Sequence, residues 1–299
     1  MAALDQLNAQ LDSFEELRSI VKTMKALSAA SIRQYERAAG ALDSYFMTVE
    51  LGLQILVKDM PQPVVTTRKD AQPRRFAAIV FGSDHGLCGR FNEEIARHAL
   101  AGIESMGADT GQCLILAVGE RVADSLEREN LVIDSTFQTP GSAAQITVAV
   151  QRILLKIEAW VDVKQVDTLQ LFYNSHQGGS SYHPEPLELL PLNVQRFDYL
   201  RQKPWSGHSL PTFSMERDDL LHHLLRQYLL VSIFRACAKS QASEHASRLA
   251  AMQSAQQHLD ERLDEVTMAF RRARQSHITA ELLDVVSGFE AIMSKPTNH

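Results

Sequence analysis

The chain has 299 residues, of which 45% are hydrophobic and 22% charged, and its formal net charge is -6. These proportions are ordinary for a globular protein and exclude a disordered or fibrous chain. The acidic balance argues against a nucleic-acid-binding protein, because such proteins carry excess Lys and Arg. The three cysteines are widely spaced and predict reduced thiols in a cytoplasmic protein. No apolar run or signal pattern predicts export or a membrane span.

The first predicted element is a long N-terminal helix, because residues 1–39 contain neither Gly nor Pro. We expect this helix to pass Gly40 and to end near Val57. Its apolar residues recur at steps of three and four, which is the spacing of a coiled-coil seam. They are Leu4, Leu7, Leu11, Phe14, Val21, Met24, Tyr35, Ala38, Leu42, Tyr45 and Val49.

The middle of the chain alternates between strand and helix patterns. Prolines and scattered charges predict a linker at residues 60–75. An open sheet with helices on its faces then follows from the alternation, with one edge strand near 187–192. The predicted strands are 76–81, 112–118, 131–137 and 168–174, and the predicted helices are 92–100, 120–129 and 143–160.

The last predicted element is a helix over residues 215–287, again without Gly or Pro. At ~1.5 Å per residue it would be roughly 110 Å long, so most of it must pack on another long element. We predict that it pairs antiparallel with the first helix. Its seam consists of Leu249, Met252, Gln256, Leu259, Leu263, Val266, Phe270, Ala273, His277 and Ala280.

The predicted fold class is therefore α/β. An antiparallel coiled coil of long N- and C-terminal helices accompanies a central open, Rossmann-like sheet domain. The predicted bounds are residues 1–58 for the first coiled-coil helix, 75–205 for the α/β domain and 213–292 for the second coiled-coil helix.

The loop at residues 82–92 follows the first strand, where a nucleotide-binding domain holds phosphate. Its glycines do not match either common phosphate-loop spacing. Ser83, Asp84, His85 and Cys88 resemble parts of a nucleophilic site, but adjacency in sequence does not make a catalytic triad. We favour a turn that needs glycine dihedrals, and we predict no catalytic, cofactor-binding or metal site.

Four motifs, in order, resemble the gamma subunit of F-type ATP synthases. They are KTMKALSAASIR at 22–33, SDHGLCG at 83–89, ASEHASRLAAM at 242–252, and ARQSHITAEL at 273–282 followed by VSG at 286–288. The family usually has Arg in place of His85, Gly in place of Arg90, and a more basic N-terminus. These departures indicate a divergent branch, such as an alternate F-type ATPase.

The resemblance implies a non-catalytic rotor subunit. In that family the paired helices stand as a shaft inside a ring of alternating alpha and beta subunits, and couple ion translocation to ATP synthesis or hydrolysis. The implied partners are the alpha and beta subunits of the F1 hexamer, the epsilon subunit and the membrane c-ring, with no cofactor, nucleic acid or direct lipid insertion. The implied location is peripheral, on the cytoplasmic face of a bacterial inner membrane.

The resemblance also implies that acidic loops of the beta subunits contact basic residues of the shaft. Residues 18–37 carry five basic side chains and one acidic one, a local net charge of +4. A solvated basic face is the alternative interpretation. The predicted partner-contact residues are Arg18, Lys22, Met24, Lys25, Arg33, Arg248, Arg271, Arg272, Arg274, Gln275 and Thr279.

Two other functions remain open at this point. One is an α/β enzyme with helical arms, which would use the loop at residues 82–92 and would bind a ligand in the isolated chain. The other is a coiled-coil scaffold or clamp, whose arms bind a partner without rotating.

Overall fold

A computed structural model of the chain describes residues 2–58, 75–107, 112–178, 181–191, 199–205 and 212–293. Contacts divide the chain into two units, one formed by residues 1–27 and 251–299 and the other by residues 28–250. The helices are α1 (Ala2–Ala41), α2 (Asp43–Lys58), α3 (Phe91–Ser105), α4 (Glu120–Arg128), α5 (Ile146–Asp162) and α6 (Arg217–Met293). The strands are β1 (Phe76–Phe81), β2 (Leu114–Val118), β3 (Ile133–Phe137), β4 (Thr168–Gly178) and β5 (Ser181–Leu190).

A five-stranded sheet forms the core of the larger unit, in the order β3-β2-β1-β4-β5. Strands β1 to β4 pair in parallel, and β5 pairs antiparallel with β4. Helices α3 and α4 cover one face with residues such as Ile95 and Val122. Helix α5 and the middle of α6 cover the other face with residues such as Ile153 and Ile233. The predicted α/β class is confirmed.

The second half of the sheet differs from the prediction. The expected edge strand at 187–192 instead covers Ser181–Leu190, and β4 extends to Gly178. Pro184 and Pro186 both lie in β5, opposite Asn174 and Phe172 of β4. An edge strand tolerates proline, because the side that lacks the N–H donor can face away from the neighbouring strand. Two prolines spaced by two residues place their nitrogens on the same side.

The helix boundaries also shift. The single helix predicted from the N-terminus to Val57 is interrupted at Leu42, a turn residue between α1 and α2. The amide of Phe46 still donates to the Leu42 carbonyl at 2.8 Å, so the interruption is slight. Helix α6 runs to Met293, through Gly288 where the Gly- and Pro-free stretch ends. The helix predicted at 143–160 begins as a short 3-10 turn at Ala143–Gln145 and continues as α5.

In the smaller unit, α1 and α6 form the antiparallel pair that the sequence predicts. Arg18 forms an ion pair with Asp260 at 2.8 Å, and Lys25 donates to the Gln256 side chain at 2.9 Å. The α6 partner number falls as the α1 number rises, which is the signature of antiparallel helices. Val21, Met252 and Leu263 are buried, whereas Ala280 is exposed. The remaining predicted seam residues of α6 in this unit are half-buried: Gln256, Leu259, Val266, Phe270, Ala273 and His277.

Candidate partner-contact site and the β1–α3 loop

The loop after β1 is tied to the ends of two neighbouring strands. The Asp84 carboxylate accepts hydrogen bonds from the Glu120 amide at 3.0 Å and from the Thr139 amide and hydroxyl at 2.8 and 2.7 Å. Glu120 begins α4 after β2, and Thr139 follows β3. The Gly119 backbone lies so close to the Ser83 backbone that a Cβ on Gly119 would be 2.7 Å from the Ser83 carbonyl oxygen. Asp84 therefore joins the carboxyl ends of three parallel strands.

This arrangement occupies the N-terminus of α4, one of the places where an open α/β sheet could bind a phosphate. In open α/β sheets, ligands bind at the carboxyl ends of the strands, often at a helix N-terminus. Here a carboxylate of the chain itself occupies the first turn of α4, and the Arg121 amide donates to the Ser83 carbonyl at 2.9 Å. A phosphate would have to displace Asp84 and meet its negative charge.

The side chains of the candidate nucleophiles Ser83 and Cys88 are buried and contact other residues of the loop. The Ser83 hydroxyl donates to the His85 carbonyl and accepts from the Asn92 amide, both at 2.8 Å. Burial raises the pKa of the Cys88 thiol, which opposes formation of a reactive thiolate. The His85 side chain is exposed. These bonds engage Ser83 with the loop backbone and Asn92, and they form no Ser-His relay.

The predicted glycine turn is confirmed only in part. Gly89 has φ +60 and needs the left-handed conformation, but Gly86 has an ordinary φ and open space around it. Leu87 also has a positive φ, at +63, which is uncommon for a residue with a side chain, and it is 62% exposed. The tip of the loop therefore carries an exposed apolar side chain in a restricted backbone conformation.

Helix α6 contacts this loop through a buried polar cluster. The Ser247 hydroxyl donates to the Cys88 carbonyl at 2.5 Å, and Arg248 Nη2 lies 3.4 Å from the carbonyl oxygens of both His85 and Gly86. The same nitrogen forms an ion pair with Glu244 at 2.7 Å. Burial raises the pKa of Glu244, and the neighbouring Arg248 and Gln241 oppose that rise.

Helix α1 completes the cluster. The His245 ring stacks on Tyr35 with 5.5 Å between centroids and 17° between planes. The Tyr35 hydroxyl donates to the Pro140 carbonyl at 3.0 Å. Burial, assisted by the positive charge of Arg248, lowers the pKa of His245 to about 4, so the imidazole is neutral near pH 7. Arg248 Nη1 lies 3.4 Å from Nδ1 of this ring, a geometry that suits a neutral acceptor.

The predicted partner-contact residues fall into distinct environments. Arg18 is exposed but paired with Asp260, while Met24 and Lys25 are half-buried. Arg248 is buried, with 7% of its surface exposed, and its guanidinium serves its own chain. The exposed members are Lys22, Arg33, Arg271, Arg272, Arg274, Gln275 and Thr279.

Nothing in the sequence pattern had marked Glu244, His245 and Ser247 as members of a buried cluster. The spacing of Glu244 and Arg248, four residues apart on a helix, was a usable signal for an ion pair. Their attachment to the loop could not be found in this way, because the Ser247–Cys88 contact spans 159 residues of sequence.

In the part of the chain that the structure describes, no group of three or more His, Cys, Asp or Glu side chains could hold a metal ion. None of the described helices is long and apolar enough to cross a membrane.

Comparisons with known proteins agree over almost the whole chain. The family model described as ATP synthase matches residues 3–292. The ATP synthase gamma chain of Granulibacter bethesdensis is 28% identical over 302 residues, covering 98% of this chain and 100% of the relative. The ATP synthase gamma chain of Heliobacterium modesticaldum is 28% identical over 297 residues, with the same coverage.

Solved structures share the fold. A chain from the Euglena gracilis mitochondrial ATP synthase OSCP/F1/c-ring structure matches with a TM-score of 0.67 and 16% identity, covering 100% of this chain and 97% of that one. A chain from the rotor of the same enzyme matches with a TM-score of 0.63 and 14% identity, covering 93% and 99%. The resemblance predicted from the four motifs is confirmed: this chain belongs to the ATP synthase gamma family, the non-catalytic central-stalk subunits of ATP synthase.

Proposed function

We propose that this chain is the rotor of an F-type ATP synthase or ATPase, coupling ion movement through a membrane sector to ATP synthesis or hydrolysis on other subunits. The family match over residues 3–292 carries this proposal. The antiparallel α1–α6 pair supports it, because a shaft must be long and stiff to pass a rotation on to a surrounding ring. The enzyme and scaffold alternatives have no comparable support.

The partners we propose are the alpha and beta subunits of the F1 hexamer around the paired helices, and the epsilon subunit and c-ring at the α/β domain. A chain from an assembly titled OSCP/F1/c-ring shares this fold, which motivates the proposal. The three-part division into residues 1–58, 75–205 and 213–292 belongs to the same proposal. The bacterial gamma chains that it resembles support a peripheral position on the cytoplasmic face of a bacterial inner membrane.

We further propose that the exposed basic residues of the shaft, rather than the paired or buried ones, meet acidic loops of the hexamer. Lys22 and Arg33 on α1, and Arg271, Arg272 and Arg274 on α6, expose their side chains. Arg18 and Lys25 already bind Asp260 and Gln256 of the same chain. The exposed basic residues could therefore bind an acidic partner without first breaking an ion pair or hydrogen bond like those of Arg18 and Lys25.

Co-purification tests the proposal. An affinity tag on this chain should recover from detergent extracts an ATP-hydrolysing alpha-beta hexamer, with one tagged chain per hexamer measured by quantitative mass spectrometry. The purified chain alone should show no ATP turnover. Recovery without a hexamer would contradict the rotor assignment, and turnover abolished by Ser83→Ala, His85→Ala or Cys88→Ala would support the enzyme alternative.

A further inference from the structure

The contact between α6 and the β1–α3 loop is unusually specific for two segments so far apart in sequence. Ser247 and Arg248, adjacent on α6, lie within hydrogen-bonding distance of the carbonyl oxygens of His85, Gly86 and Cys88. These carbonyls surround Leu87, the exposed residue with positive φ. Loops usually hold such restricted conformations only where surrounding structure imposes them.

The guanidinium that makes these contacts is itself held in place. Arg248 and Glu244 expose 9% and 6% of their side chains, and Gln241 donates to the second carboxylate oxygen of Glu244 at 3.1 Å. The stacked Tyr35 and His245 rings lie beside the pair. A buried ion pair is costly unless its geometry and hydrogen bonds are satisfied. This cluster satisfies them while directing donors at a surface loop.

We propose that Glu244, Ser247 and Arg248 are positioning residues that lock the β1–α3 loop to α6, so that the exposed tip at His85 and Leu87 follows every movement of that helix. The loop acts as a rigid projection of the long helix instead of an independent surface turn. Only the consequence of this lock for rotation rests on the proposed function.

The geometry explains why arginine is needed at position 248. One nitrogen of its planar fork faces Glu244 and the two loop carbonyls, while another faces the His245 ring. Lysine would keep the positive charge beside Glu244 but has a single ammonium and a shorter reach. Arg248→Lys therefore separates the lock on the loop from the charge balance of the buried pair.

Cys88 provides a measurement of the lock in the full-length chain. Its side chain is 2% exposed, so it reacts with N-ethylmaleimide only when the loop opens. Cys113 and Cys237 are also buried. Cys113 immediately precedes β2, and Cys237 lies in α6. Peptide mass spectrometry then gives three modification rates from one sample. The two distant thiols report general unfolding.

We expect Arg248→Lys and Ser247→Ala each to raise the Cys88 modification rate by about tenfold or more, with little change at Cys113 and Cys237. Arg235→Lys is the matched control, because Arg235 lies on the same helix as Arg248 but forms its ion pair with Asp43 of α2, at 3.2 Å. An unchanged Cys88 rate, or equal increases at all three thiols in both variants, would overturn the proposal.

The assembled complex tests whether the lock serves coupling. With Arg248→Lys, ATP hydrolysis should persist while ion uptake per ATP hydrolysed falls, and Arg235→Lys should leave that ratio unchanged. An unchanged ratio in Arg248→Lys would overturn the positioning role. If no complex assembles around the wild-type chain, the proposed function fails, while the thiol result still decides whether the lock exists.

Discussion

At the scale of single residues, Gly82 is required by packing. A Cβ added there would lie 2.2 Å from Cβ of the fully buried Val122 and 2.7 Å from the Asn92 side-chain oxygen. Gly82→Ala should therefore lower the free energy of unfolding by about 3 kcal/mol, because a core backbone must shift. The urea midpoint followed by fluorescence of the buried Trp160 measures this change.

Gly86→Ala is the control for that substitution. It lies four residues further along the same loop, with an ordinary φ and no atom within 4 Å of the added Cβ. Its effect on stability should stay within about 0.5 kcal/mol. Equal effects of the two substitutions would contradict the steric explanation for Gly82.

The lowered pKa of His245 predicts that stability depends on pH. Its folded pKa of about 4 lies below the ordinary value of 6.5. Between pH 4 and 6.5, His245 is mostly protonated in the unfolded chain and mostly neutral in the folded chain. The free energy of unfolding therefore falls as the pH falls from 6.5 towards 4. Above pH 6.5 this group does not affect stability. The loss attributable to His245 should reach at most about 3 kcal/mol.

Urea titrations at several pH values test this prediction against His245→Phe. Phenylalanine keeps a ring on Tyr35 but cannot bind a proton. The difference in unfolding free energy between wild type and His245→Phe should change through the window from pH 6.5 to 4 and stay constant from pH 7 to 8. A constant difference throughout would show that His245 titrates normally in the folded chain.

At the scale of elements, the far end of α6 presents apolar side chains to solvent. Leu282, Leu283 and Val285 are 61%, 60% and 70% exposed. The side chains of Phe289 and Ile292 lie outside the part of the chain that the structure describes. Because few buried contacts hold this end, its amides in the free chain should exchange hydrogen much faster than those of Ile79 and Val80 in β1.

Hydrogen-exchange mass spectrometry of the free chain and of the purified complex measures this difference. The amides of residues 282–287 should become protected in the complex, where a ring of partners would cover the apolar side chains. Protection in the free chain equal to that of β1 would contradict the shaft model.

At the scale of the whole molecule, we expect the exposed basic residues to be the points at which the shaft contacts the hexamer. Replacing Lys22 and Arg33 together by Glu turns attraction to acidic loops into repulsion, worth on the order of 1 kcal/mol for each pair. ATP hydrolysis and ATP-driven ion uptake in vesicles should both change, and the change should diminish at high salt. Lys25 is left intact because it binds Gln256 within the shaft.

The matched variant replaces the same two residues by Gln, which removes charge without adding repulsion and should have a smaller effect. Both variants should assemble, because the buried seam residues Val21, Met252 and Leu263 are untouched. If the Glu variant assembles and equals wild type in both assays at low salt, these two residues form a solvated face.

The sequence alone determined the element types and the family. Helical spacing and the absence of Gly and Pro identified α1 and α6, and alternating patterns identified the parallel strands, because these signals are local. Four short motifs sufficed for the family assignment. The early start of β5 was missed, because whether Pro184 is tolerated depends on which side of the strand faces β4.

Only the tertiary structure decided which polar residues work together. Arg248 was a predicted partner-contact residue, yet packing buries it against Glu244 and the loop carbonyls. Asp84 resembled part of a reactive site, but it joins strand ends that meet only after folding. The physical reason is that side-chain partnership depends on distance in space, and folding brings together residues that are 36 to 163 positions apart in the chain.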